Sequence, residues 1–278
     1  MDTAHKTFSS TYLFSIFGRA ATPFIIDVRA AEAFYADSAM IAGATWRDPT
    51  SVLTWRKYIP MHRSVVVYCV HGLAISKNTC AALREIGIAA FVLDGGFHVW
   101  QEANYPTIKK SVALNIPSAI NTPSRWITRE RPKIDRIACA WLIRRFIDPL
   151  AEFIYAPSDQ VISQASQTGA IPYDVPKVQF THRGDECSFD AFLNDFALSD
   201  PILQQLAIIV RAADTDHLAL SGQSDGLLAI SLGLSHLYKD DHQMLAQGMV
   251  IYDALYAWLK CNYEKTKPES HNANLFKS

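Results

Sequence analysis

Nothing in the 278 residues of this chain approaches the ~18 uninterrupted apolar residues that a membrane-crossing helix needs. The best candidates, 137–143 and 226–234, are too short and read as buried helix segments. The first ten residues, with Asp2, His5 and Lys6, lack the basic-then-apolar order of a secretory signal. These absences predict a cytoplasmic protein with no membrane partner. Neither sign of charge is in excess: 26 Lys and Arg stand against 27 Asp and Glu. No nucleic-acid partner is therefore expected on electrostatic grounds. Cysteine is scarce and scattered, as Cys69, Cys80, Cys139, Cys187 and Cys261, with no CxxC pair. That spacing argues against a disulfide framework or a structural zinc. Cys80, Cys139 and Cys261 are expected to be buried apolar thiols, and Cys187 to be packed rather than redox-active. No HxxxH or HExxH spacing, internal repeat or low-complexity stretch is present.

What is present is ordinary globular composition, 49% hydrophobic and 19% charged, which rules against long disorder. The length is about twice the rough 150-residue domain prior, so two domains are expected. The first hundred residues alternate strand-like runs (24–28, 65–69, 90–93) with helix-like ones (30–36, 77–86, with Gly87 as C-cap). Such alternation predicts an α/β domain, a parallel sheet with helices on both faces, over residues 1–106. Pro106, Lys109, Lys110, Pro117, Asn121 and Pro123 break the pattern, so 107–123 reads as a linker. The remainder, 124–265, is expected to be mainly α with a few short strands, and 266–278 a polar tail. One helix should run from Pro132 to about Phe146, stopped by Asp148-Pro149. Others should cover 201–211 with Asp200 as N-cap, 224–238, and the stretch from Asp241. Strands are plausible at 152–155 and 177–180.

The run Val65-Val66-Val67-Tyr68 ends in Cys69, and Val70, His71, Gly72, Leu73, Ala74, Ile75 and Ser76 then lead into a helix. Loop amides and a helix N-terminus aimed at the sulfur lower a thiol pKa and stabilise an anionic intermediate. Cys69 is thus the candidate nucleophile. Asp27-Val28-Arg29 closes the first strand, Ile41-Ala42-Gly43-Ala44 follows a helix, and Asp94-Gly95-Gly96 with Trp100 closes the last strand. In this order the segments resemble the rhodanese family over about residues 10–106. The resemblance implies a sulfurtransferase that carries a persulfide on Cys69, needs no cofactor, and exchanges sulfur with a small donor and acceptor. Rhodaneses commonly have an arginine five positions after the cysteine, where it helps bind thiosulfate. Here that position is Ala74 beside Leu73, leaving His71 as the loop's one candidate charge.

Three segments of the second half are dense in polar residues: 125–136, 181–190 and 211–217. Arg129, Arg131 and Arg136 flank a predicted helix start, and guanidinium forks beside free N–H groups suit an oxyanion. The bland alternative is a solvated face in which the arginines pair with Glu130 and Asp135. His182, Glu186 and Asp214 or Asp216 offer an imidazole and hard carboxylates, for a divalent metal or for a salt-bridge network with the arginines. Together with 137–146, 169–176 and 226–234, these segments resemble the C-terminal domain of the chromate-resistance regulator family. That resemblance implies a role in chromate resistance or sensing, with Arg129, Arg136 and His182 binding a sulfate-like oxyanion. Three functional readings follow. One is a sulfurtransferase coupled to an oxyanion-handling domain. Another is a non-enzymatic oxyanion or metal sensor whose first domain is a binding module. The third is a metal-dependent redox enzyme centred on His182 and Glu186. Arg129, Arg136, His182 and Glu186 are expected to share one pocket lined by Asp214.

Overall fold

The computed structural model describes residues 7–60, 63–113 and 123–266. In the first half, β-branched and aromatic runs form strands, and the stretches between them coil. The order is β1 (Thr7–Phe8), α1 (Ser10–Ser15), β2 (Phe24–Asp27), α2 (Ala31–Ala36), β3 (Ala39–Ile41) and β4 (Ala44–Trp46). There follow α3 (Val52–Trp55), β5 (Val65–Tyr68), α4 (Ala74–Glu85), β6 (Ala90–Leu93), α5 (Gly96–Glu102), β7 (Thr107–Lys109) and α6 (Lys110–Ala113). Five strands make a sheet ordered β1-β6-β5-β2-β4, in which every neighbouring pair is parallel.

Successive side chains of a strand point to opposite faces, and here they feed two separate cores. Ile25, Val66 and Tyr68 pack with Leu13 of α1 and Trp100 of α5. Phe24, Ile26, Val65, Val67 and Cys69 pack with Trp55 of α3 and Leu83 of α4. Covered on both faces, β2 and β5 are buried along their whole length.

The first of these cores continues into the second half. Phe17 lies 5.4 Å from Trp100 and 5.5 Å from Phe146, ring centre to ring centre. Gly18, at φ +75°, sits against Tyr256, where a Cβ would come within 2.6 Å of the ring. Residues 107–113 are not the linker that Lys109, Lys110 and the nearby prolines suggest. β7 pairs antiparallel with β3, and Lys109 N–H donates to Phe196 O at 2.8 Å, so this stretch is built into both halves. The rest of the expected linker, 114–122, and the polar tail, 267–278, lie outside the described residues.

The second half runs β8 (Arg125–Arg129), α7 (Ile134–Leu142), β9 (Glu152–Ala156), α8 (Val161–Thr168), β10 (Ile171–Pro172), α9 (Ser188–Asp195), α10 (Pro201–Asp214), α11 (Ser224–Leu237) and α12 (Asp241–Thr266). It is mostly helical, with a parallel sheet ordered β10-β8-β9. β8 is a strand that the sequence reading did not include, and Arg129, expected to flank a helix start, is its last residue. Trp126, Ile127 and Thr128 are fully buried, and an apolar, β-branched run covered on both faces fits a central strand. The predicted helix starts at Ile134 and passes at Ile143–Ile147 into a π-type turn before Asp148. Residues 177–180 form no strand; Phe180 makes an isolated bridge to Tyr173. Asp200 caps α10 as expected, accepting from Ile202 N–H at 2.9 Å. Among the described residues, no helix is long and apolar enough to cross a membrane.

Candidate functional site

Cys69 follows directly on β5, at the carboxyl edge of the parallel sheet, where the chain must turn back toward α4. The turn is held from beneath by the segment after β6: Cys69 O accepts from Phe97 N–H at 2.9 Å and Val70 O from His98 N–H at 3.0 Å. Two glycines make this close approach possible. Gly72 (φ +69°) would drive a Cβ to 2.4 Å from Leu93 O, and Gly96 (φ +60°) to 2.4 Å from Cys69 O. Residues 70–76 therefore wrap around the sulfur. Ser76, fully buried, places its Oγ 3.3 Å from Cys69 Sγ. Burial pushes this thiol's pKa up, but the Ser76 hydroxyl and the backbone N–H groups of Ser76, Leu73 and His71 outweigh it. The net pKa lies below the ordinary thiol value. Leu73, Ala74 and Ile75 are exposed at the loop rim, and none carries charge.

Other groups border the loop. The His71 and His98 rings meet edge to face at 5.2 Å, and His98 Nε2 lies 3.3 Å from Glu102. A cavity of about 330 Å³ next to them is lined by Arg29, Asp37, Val70, Phe97 and His98. Arg29 is not free to act there. It is 1% exposed, is doubly bound to Asp27 (2.6 Å at the closest), donates to Ala39 O and lies over the Phe97 ring.

Polar residues of the second half meet in a cluster of charged side chains. Arg129 ends β8, Asp135 and Arg136 open α7, Asp174 follows β10, His182 lies in the loop before α9, and Asp214 ends α10. His182 Nε2 is 3.4 Å from a carboxylate oxygen of each of Asp135, Asp174 and Asp214. Asp174 also takes Arg129 at 2.7 Å and Arg136 at 3.2 Å. Asp135, 1% exposed, accepts the first N–H groups of α9 from Ser188 and Phe189, both at 2.9 Å. The Asp135 and Asp174 carboxylates push His182 up to about 10. Burial, together with repulsion from Asp135 and Asp174, pushes Asp214 up to about 7.

Arg129, Arg136, His182 and Asp214 thus converge as expected, with Asp174 as the common partner of both arginines and the histidine. Glu186 does not join them. Its carboxylate accepts from Asn194 at 3.1 Å and faces a neighbouring cavity with Asp190 and Arg211. A β-turn explains the split, since Arg183 and Glu186 bridge each other across it and the chain reverses between His182 and Glu186. Arg131 also leaves the cluster, donating to Ser235, Tyr238 and Lys239 carbonyls. Nor is Asp216 among the metal-capable group, which is Asp135, His182 and Asp214.

Comparisons with known proteins divide the chain at the same place as the two sites. Residues 15–103 match the family described as rhodanese-like domain, and residues 126–259 the family described as ChrB, C-terminal domain. The chain carries a rhodanese-like domain, followed by a domain that matches the ChrB C-terminal family. Protein ChrB of Cupriavidus metallidurans is 34% identical over 149 residues, covering 52% of this chain and 44% of that protein. The chain therefore spans less than half the length of that relative. The thiosulfate sulfurtransferase GlpE of Shewanella oneidensis is 35% identical over 81 residues, covering 29% of this chain and 77% of that one. A rhodanese-related protein of Thermoplasma volcanium with a solved structure is 20% identical, covers 37% of this chain and 97% of its own, and has a TM-score of 0.32.

Within the ChrB C-terminal domain, sequence reasoning passed over Asp174 and treated Asp135 as a charged-face partner. Asp174 lies between Pro172 and Pro176 with no spacing relation to the arginines, and only the β8–β10 pairing brings it beside Arg129. Asp135 carried a usable signal: a carboxylate in the first turn of a helix that is apolar but for it and Arg136. Of the thiols expected to be buried, Cys80 and Cys139 are, but Cys261 is exposed on α12.

Proposed function

We propose that the rhodanese-like domain transfers sulfane sulfur through a persulfide on Cys69. The thiolate attacks the outer sulfur of the donor. A new S–S bond forms at Cys69 as the donor's own bond to that sulfur breaks, and the remainder of the donor leaves with the bonding electron pair. An acceptor thiolate then takes the outer sulfur and restores the Cys69 thiolate. The single observation that carries this reading is the cradle of N–H groups and the Ser76 hydroxyl that lowers the Cys69 pKa. The same donors are placed to hold the terminal anionic sulfur of a persulfide.

The cradle is neutral, because Ala74 stands where a rhodanese commonly has arginine. A dianionic donor such as thiosulfate is therefore expected to be used weakly. For the whole chain we propose a cytoplasmic, reducing setting and a link to chromate or another sulfate-like oxyanion. That part rests on the likeness to ChrB and on the convergence of Arg129, Arg136 and His182. The sulfur-transfer reading is tested by loading the chain with a persulfide donor and trapping labile sulfur with cyanide. Thiocyanate from the native chain and none from Cys69→Ser is expected. Equal yields would overturn it. Titration with chromate and sulfate tests the oxyanion link, for which Arg136→Ala should remove binding. Unchanged affinity would return the arginines to ion pairing alone.

A further inference from the structure

We propose that Asp135, His182 and Asp214 form a binding site for one divalent transition-metal ion. The site goes beyond the sulfur chemistry and does not depend on it.

The geometry of His182 can accommodate a shared cation in place of the imidazole's proton. Its Nε2 carries at most one proton, and an N–H···O bond spans roughly 2.7–3.2 Å. Here three carboxylate oxygens stand around that atom, each at 3.4 Å, and none is drawn in closer than the others. A shared metal gives such spacing directly. Ligand atoms bound at ~2.0–2.2 Å around a tetrahedral ion are about 3.4 Å apart. The donor atoms of Asp135, His182 and Asp214 lie within 4.8 Å of one another.

Charge complementarity is a separate argument. Asp174 has both Arg129 and Arg136 as counter-charges. Among the described residues, the ion pairs of Asp135 and Asp214 run to His182 alone. Once the imidazole has released its proton to become a ligand, these two carboxylates carry the two negative charges that a divalent ion would neutralise. The cluster cannot relax by moving Asp135 away, since that carboxylate is fixed by Ser188 and Phe189 N–H and is 1% exposed. The other two ligands keep the site open. His182 and Asp214 side chains are 40% and 22% exposed, which leaves a path in and coordination positions for water or an anion.

One nitrogen and two carboxylate donors suit zinc, manganese, iron or cobalt. Magnesium, which prefers oxygen ligands and keeps its water, fits poorly. Asp174 acts as a positioning residue, bringing His182 and both arginines to one edge of the site.

The test uses the full chain, stripped with chelator and titrated calorimetrically with Mn²⁺, Co²⁺, Zn²⁺ and Mg²⁺. One Co²⁺ per chain is expected, with a visible spectrum free of the charge-transfer bands that thiolate ligands produce. Asp214→Asn and His182→Gln should weaken binding by more than the roughly 10- to 100-fold that changes behind a metal ligand bring. Glu186→Gln should bind like the native chain. Asp214→Asn is the decisive variant because, unlike Asp135, its carboxylate does not cap a helix; an unchanged thermal melt without metal confirms its fold. Absence of saturable Co²⁺, Mn²⁺ and Zn²⁺ binding by the native chain, thiolate bands in the Co²⁺ spectrum, or native affinity in Asp214→Asn would overturn the proposal.

Discussion

Cys69 and Cys187 both stand where a helix begins, and the structure makes opposite thiols of them. The first N–H groups of a helix lack intrahelical acceptors and favour a negative charge. Before α4, the N–H groups of Leu73 and Ser76 are turned on the Cys69 sulfur, and its pKa is lowered despite burial. At α9, Cys187 is itself the N-cap and its sulfur also receives the backbone N–H groups of Phe189 and Asp190, but it is fully buried and faces the carboxylates of Asp135 and Asp190. Burial and those two carboxylates push the Cys187 thiol far up. Helix-start amides lower a thiol pKa only where burial and neighbouring carboxylates do not outweigh them. One site is built from neutral amides around a thiol, the other from side-chain charges around an imidazole.

The largest expected effect is on sulfur transfer. Cys69→Ser should reduce cyanide-trapped thiocyanate to background, while Cys187→Ser should leave it near the native level; the reverse pattern would exchange the roles of the two thiols.

Stability should separate the two regions next. Arg29→Ala leaves Asp27, fully buried, without its cation, and breaking a buried pair from one side costs about 3–5 kcal/mol. Arg129→Ala removes a side chain that is 38% exposed, and Asp174 keeps Arg136 and His182. A loss of about 0–1 kcal/mol is expected there, as for an exposed pair. Urea denaturation of both variants checks the ranking, which equal losses would erase.

Ala74→Arg should raise thiosulfate turnover by an amount equivalent to one charge-assisted hydrogen bond, ~1.5–3 kcal/mol. No gain in kcat/KM would show that the donor does not lie against the loop rim. Smallest of all, Asp190→Asn should speed Cys187 alkylation somewhat without bringing it level with Cys69, because Asp135 still faces that sulfur.

Much of the rhodanese-like domain could be read from local pattern. Val65 to Tyr68 is a buried β-branched run that leads into a loop and helix, and its placement depends on residues adjacent in sequence. Ala74 was equally visible, since a missing side chain needs no fold to be noticed. The second site was legible only in outline. Arg129, Arg136 and His182 stood out by polar density, but which carboxylates face His182 depends on contacts between distant segments. Asp174 arrives through the pairing of β10 with β8, and Asp135 through the docking of α9 on α7. Glu186 was misplaced because proximity to His182 in sequence says nothing about the turn between them. The strand at 125–129 was missed for a related reason: its flanking arginines read as a helix approach, whereas Trp126, Ile127 and Thr128 are buried between covering elements.

In the proposed sulfur-transfer reading, Cys69 alone among the buried thiols of the described residues is held as a nucleophile. Site-resolved alkylation with iodoacetamide tests it most directly, in a Cys261→Ser background that removes the exposed thiol of α12. The labelling rate should follow the thiolate, rising with pH to a midpoint below the ordinary 9.0 and falling away as protons return below it. Cys80, pushed up to about 12 by burial, should lag throughout, as should Cys139 and Cys187. Cys69 labelled first at neutral pH is the predicted result. Faster labelling of Cys187 or Cys139 would contradict it.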